Sequence, residues 1–177
     1  MQYIFQTDYN QKALSIMAKC IRKTARIKRS KRSHILGWIV IVLALLLSFS
    51  SGDEGFTITF KTILTWLAAT VIFITLIFED QINGYFAGKR MLKGTEKVTA
   101  VFNAESPDAF SSETEVGKSA FSYDKIALLA ETERYFVFVF SASHAQIYDK
   151  NNLSGGTDDA FREFITEKTG KEILYVK

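Results

Sequence analysis

The sequence predicts an α+β membrane protein in which a two-helix transmembrane hairpin precedes antiparallel strands closed by one C-terminal helix. Three observations carry this prediction. Two long apolar runs stand close together in the first half, at residues 35–49 (ILGWIVIVLALLLSF) and 62–78 (TILTWLAATVIFITLIF). Nine Lys/Arg crowd the 34 residues before them, against one acid, Asp8. From Lys97 onward apolar residues recur at every second position, until a final stretch changes to helical spacing.

The chain begins with an alternation, Tyr3 and Phe5 against Ile4, that suits a short strand over residues 1–6. Thr7 or Asp8 then offers a helix N-cap. Ala13, Ile16, Met17, Cys20, Thr24 and Ile27 follow at three- and four-residue spacing, which gives one apolar face set among bases. No Pro or Gly interrupts before Gly37, so this helix is expected to run straight into the first span. The basic helix fits a cytoplasmic anchor on anionic lipid, with a partner-binding helix as the alternative. Nucleic acid is not an expected partner, because the charge abuts a membrane segment and has no recognisable nucleic-acid fold around it.

A spanning helix needs roughly 20 mostly apolar residues. The first run carries no charge from residue 35 to 51. The second is charge-free over 62–78 and extends back through 56–60 if Lys61 snorkels to the headgroups. Trp38 and Trp66 stand near the starts of the two runs, where interfacial aromatics belong. Two buried helices of a soluble core would not need uncharged runs this long, and a cleaved leader would not start its apolar run after 34 residues. Lys/Arg asymmetry sets orientation. The bases Arg22, Lys23, Arg26, Lys28, Arg29, Lys31 and Arg32 precede the hairpin, and Lys89, Arg90 and Lys93 follow it. The stretch between the runs holds Asp53 and Glu54. Both termini are therefore expected in the cytoplasm, with residues 50–55 outside, and those ten bases are expected to lie at the membrane surface. Ala68, Ala69 and Thr70 permit close helix packing, within the hairpin or between chains.

Residues 79–94 read as a linker, with Gly84, Gly88 and Gly94 around Tyr85 and Phe86. The domain follows over 95–177, with nine bases and fourteen acids. Val98, Ala100 and Phe102 share a strand face, and residues 103–108 form a turn with Pro107. Residues 110–116 and 119–123 suit two more strands. Residues 126–130 and 135–140 flank the polar turn 131–134 as a hairpin, and the aromatic, β-branched run YFVFVF suits a central strand. Residues 146–148 add a strand, and 151–157 (NNLSGGT) read as a loop. Thr157 caps a helix with Phe161, Phe164 and Ile165 on one face, Gly170 suits its left-handed C-cap, and 173–176 suits a terminal strand. The organisation is thus 1–34 strand and basic helix, 35–78 hairpin, 79–94 linker and 95–177 cytoplasmic domain.

Catalytic patterns are not expected here. His34 and His144 stand alone, with no H-x-x-x-H or H-E-x-x-H spacing, and no G-x-S-x-G elbow occurs. Gly155-Gly156 lacks the P-loop lysine. Glu131 and Glu133 read as a solvated turn rather than an acid pair. Cys20, the only cysteine, reads as a packing residue, and neither a cofactor nor a metal is expected.

Several local features resemble the YcxB-like family of small bacterial membrane proteins. They are Asp8-Tyr9 at a helix start, the two spans, Ser122-Tyr123-Asp124-Lys125-Ile126, the turn Glu131-Thr132-Glu133 before an aromatic strand, and the closing helix with Phe161 and Phe164. Where the family commonly has a proline-lysine step after the last strand, this chain has Asp149-Lys150. The resemblance implies a pleckstrin-homology-like domain, a strongly bent sheet or small barrel capped by a helix, in the bacterial inner membrane. It brings no catalytic residues. The expected function is non-enzymatic binding of a protein or lipid partner. The alternative is an immunity protein whose partner is a secreted toxin, and a membrane enzyme ranks below both.

Overall fold

The computed structural model describes residues 2–49, 59–104, 106 and 108–177. The expected outer loop at 50–55, the backward extension of the second span before residue 59, and Pro107 lie outside the described residues.

The N-terminal alternation forms strand β1 (Gln2–Asp8), which buries Tyr3, Phe5 and Thr7. Helices α1 (Gln11–Lys23), α2 (Ile27–Phe49), α3 (Phe60–Ile77) and α4 (Glu79–Arg90) follow. Eight strands and a helix complete the chain. These are β2 (Lys97–Asn103), β3 (Ala109–Thr114), β4 (Gly117–Ser122), β5 (Leu128–Glu131), β6 (Tyr135–Val139), β7 (Ala145–Asp149), β8 (Leu153–Ser154), α5 (Asp158–Thr169) and β9 (Ile173–Tyr175).

The strands build two sheets rather than a closed barrel. One has the order β4-β3-β2-β1-β8 and the other β7-β6-β5-β9. The N-terminal strand joins the C-terminal domain near the middle of the first sheet. β1 pairs antiparallel with β2 from Gln2↔Asn103 to Asp8↔Lys97, and with β8 at Ile4↔Ser154 and Phe5↔Leu153. The expected loop 151–157 thus contains a short strand. Gly155, at φ +88, lets that strand close on β1, since a Cβ there would fall 1.8 Å from the Gln2 carbonyl oxygen. β9 departs from the antiparallel pattern and pairs parallel with β5. Helix α5 is the reason: after β8 it carries the chain back across the domain, and Gly170 ends it at φ +64 as expected.

The core lies between the sheets and under α5. Phe5, Phe102, Phe136, Phe138, Tyr148 and Phe161 are all essentially inaccessible and meet largely edge to face. β6 is buried on both faces, so it reads YFVFV without a polar residue. Phe136 and Phe138 face this core. Tyr135, Val137 and Val139 face away from it, onto α1.

That second contact corrects three expectations about the N-terminal helix. Its apolar face does not meet lipid: Ala13, Cys20 and Ile21 pack on the outer face of the second sheet. Its N-cap is Asn10, whose side chain accepts from the Ala13 amide at 2.9 Å, because Thr7 and Asp8 are still in the ladder with β2. It also stops before the span. Thr24 returns its hydroxyl to the Cys20 carbonyl, and the Arg26 amide donates to Ile21 five residues back. This wide turn redirects the chain without Pro or Gly. Cys20 is fully buried, and burial pushes its thiol up to about 12, so it is an inert packing residue.

α2 and α3 form the hairpin, with Trp38 set edge-on to Phe73 at 6.0 Å. Both are long and apolar enough to cross a membrane, yet only 11 % and 6 % of their apolar windows are buried. They are not the core of a soluble domain: Leu36, Leu43, Leu47, Leu64 and Leu67 point outward.

Candidate membrane-surface site

The base of the hairpin is held by ion pairs. The Arg22 guanidinium on α1 donates twice to Asp80 on α4, at 2.7 and 2.6 Å, and stands 3.7 Å from Glu79. His34 on α2 meets the same Glu79 at 2.8 Å. Glu79 and Asp80 occupy the first turn of α4 and Lys89 and Arg90 its last, each favourable to the helix dipole. The stretch expected as a linker is therefore largely a helix laid against α1. Gly84 permits the close approach, because a Cβ there would lie 2.5–2.8 Å from Ser15. Its glycines concealed this helix in the sequence.

Between α1, the start of α2, α4 and the β6–β7 loop lies a cavity of about 490 Å³. Leu14, Met17 and Ile21 contribute apolar lining. Four arginines, Arg22, Arg26, Arg29 and Arg90, line it with a single acid, Glu79. Arg22 is already engaged by Asp80. No carboxylate among the described residues pairs with Arg26, Arg29 or Arg90. The Arg26 Nε is buried and has no hydrogen-bond acceptor among the described residues.

The ten bases expected at the membrane surface thus separate into groups. Arg22, Arg26, Arg29 and Arg90 come together around one cavity. Lys31 lines a smaller hollow beside His34 and Ile35. Lys89 lies over the Tyr85 ring at 4.7 Å. Lys23 donates to the Lys177 carbonyl at 2.8 Å. Lys28, Arg32 and Lys93 are exposed and stand apart from the cavity. Sequence spacing did not show this grouping, because Arg26 and Arg90 are joined only by the packing of α1 on α4.

A second charged cluster lies in the domain and corrects the reading of Glu131 as solvated. Glu131 is 6 % exposed. It pairs with Lys150, itself almost fully buried, and accepts from Arg162 Nε and an Arg162 terminal nitrogen, each at 2.8 Å. Burial pushes the carboxyl up, but the hydrogen bonds from Arg162 and Lys150 outweigh it and hold the group below its ordinary value. Glu133 is exposed, as expected. Next door, Arg134 grips the buried Asp149 at 2.6 Å. The Asp149-Lys150 step thus supplies one partner to each ion pair. These contacts fasten the β5–β6 turn to β7 and α5, and every charge in them is matched by another protein charge.

No curated protein and no solved structure matches the chain. The family model described as YcxB-like protein matches residues 106–165. This segment runs from before β3 into α5 and contains Ser122–Ile126, Glu131–Glu133, Phe161 and Phe164, so much of the sequence resemblance falls inside it. The two apolar helices that complete the expected pattern precede it. Residues 106–165, from the approach to β3 into α5, are thus the part of the chain that is similar to the YcxB-like family.

Proposed function

We propose that this chain is a non-enzymatic inner-membrane protein that presents a small, pleckstrin-homology-like module at the cytoplasmic leaflet for binding a lipid or protein partner. One observation carries the reading: β1 precedes the apolar hairpin, β2 follows it, and the two pair over seven residues. Two spans between paired strands leave both flanks on one side of a membrane, and the surrounding bases favour the cytoplasmic side. The outward leucines of α2 and α3 need lipid to cover them. The module, tied to α4 through α1, is held within reach of headgroups and cannot drift on a flexible tether.

Extraction of the full-length protein with its surrounding lipid tests this. Anionic lipid should co-purify above its share of the bulk membrane. A lipid complement equal to the bulk, with no protein retained, contradicts the proposal.

A further inference from the structure

We propose that the arginine-lined cavity between α1, α2 and α4 holds the phosphate of an anionic lipid headgroup. This rests on reading α2 and α3 as membrane spans. Three features of the cavity call for an anion. Arg26, Arg29 and Arg90 converge without a pairing carboxylate, whereas neighbouring Arg22 is satisfied by Asp80. The Arg26 Nε is buried without an acceptor, which an incoming oxygen would supply. Ser30 and Asn83 add neutral hydrogen-bonding side chains to the lining.

Arginine forks match phosphate oxygens in pairs, so phosphate fits this set better than a spherical anion. The volume of about 490 Å³ exceeds the need of a bare ion and falls within the roughly 300–1,000 Å³ range of small-molecule sites. Depth selects the source. Arg29 lies six residues before the apolar run begins at Ile35, which is about 9 Å along a helix. An arginine side chain reaching toward the membrane from there arrives at headgroup level. Basic pockets at the cytoplasmic ends of spans are suited to anionic headgroups.

Titration of the detergent-solubilised full-length protein with short-chain phosphatidylglycerol, short-chain phosphatidylcholine, glycerol phosphate and inorganic phosphate tests the site. The wild type should prefer phosphatidylglycerol over phosphatidylcholine. R26Q/R29Q/R90Q should weaken that binding on the order of a hundredfold. R90Q alone removes an exposed, unpaired side chain, leaves folding intact, and should weaken binding roughly fivefold. K28Q/R32Q/K93Q removes the same charge from outside the cavity and should leave binding within about threefold. Binding of glycerol phosphate as tight as that of the lipid would identify a free phosphate ester as the source; tight binding of the lipid alone identifies the headgroup. Equal losses in the two triple variants, or no loss in R26Q/R29Q/R90Q, overturn the cavity site and leave the membrane-surface reading standing. No anionic preference in the wild type removes the cavity site, and a bulk-like lipid complement in the extraction experiment separately removes the broader reading.

Discussion

Phe5→Ala is expected to destabilise the folded domain by about 3–5 kcal/mol. Phe5 sits in the N-terminal strand, more than 90 residues from its neighbours in sequence, yet it is completely buried. Its ring lies 4.7 Å from Phe161 on α5, 5.7 Å from Tyr148 on β7, 5.8 Å from Phe102 on β2 and 6.1 Å from Phe136 on β6. One side chain therefore touches both sheets and the closing helix. Opposite it on β2 stands Ala100, too small to fill the space that truncation would open. The loss is a large fraction of the roughly 5–15 kcal/mol that holds a typical domain together. Denaturant unfolding of the full-length protein in detergent, followed by hydrogen exchange at β2 and α5, reads it. Val116→Ala, at a residue 61 % exposed, should change stability by less than about 0.5 kcal/mol. Similar small effects at both positions would mean that the N-terminal strand is an appendage.

Glu131→Gln should cost a comparable amount, about 3–5 kcal/mol, by a different mechanism. The substitution keeps the shape but leaves Lys150 charged in a buried place. The Lys150 ammonium would keep neutral partners, among them the Thr132 carbonyl at 2.8 Å, the Glu133 carbonyl at 3.3 Å and the face of Phe136 at 4.8 Å, but would lose the carboxylate that balances its charge. Lys150→Met in the Glu131→Gln background should restore much of the loss, since the stranded charge is the main cost. A pH dependence accompanies this. The folded carboxyl sits below its ordinary value of 4.5, so between the two values the unfolded chain binds more protons. The stabilisation from Glu131 is complete above about pH 4.5 and is lost as pH falls through the folded value. The acid limb of the stability profile should be shallower in Glu131→Gln than in the wild type. Identical acid limbs would rule out the ionised triad.

The parts of this molecule that were legible in the sequence are those whose cause is local. Run length marked α2 and α3, period two marked β2, the unbroken aromatic and β-branched run marked β6, and Thr157 and Gly170 marked the ends of α5. The parts that were hidden depend on remote partners. The alternation in β1 suited a strand, but nothing near it named β2 and β8 as its neighbours. The apolar face of α1 reads the same whether lipid or a sheet covers it, and its packing against Tyr135, Val137, Val139 and Ile147 decides for the sheet. Glu131 looked solvated because Lys150 and Arg162 lie 19 and 31 residues away. The arginine cavity joins bases from either side of the hairpin, which charge counting placed at one membrane face without grouping them.

The most direct test is the labelling of single cysteines with a membrane-impermeant maleimide. The native thiol, Cys20, is buried and should stay silent. Gln2→Cys reports on β1, Lys118→Cys on the C-terminal domain, and Asp53→Cys on the stretch between the apolar helices. In intact cells only Asp53→Cys should react, and permeabilising the inner membrane should expose Gln2→Cys and Lys118→Cys together. Reaction of Lys118→Cys in intact cells, or of Gln2→Cys and Lys118→Cys from opposite sides, would contradict one cytoplasmic module closed across a two-span hairpin.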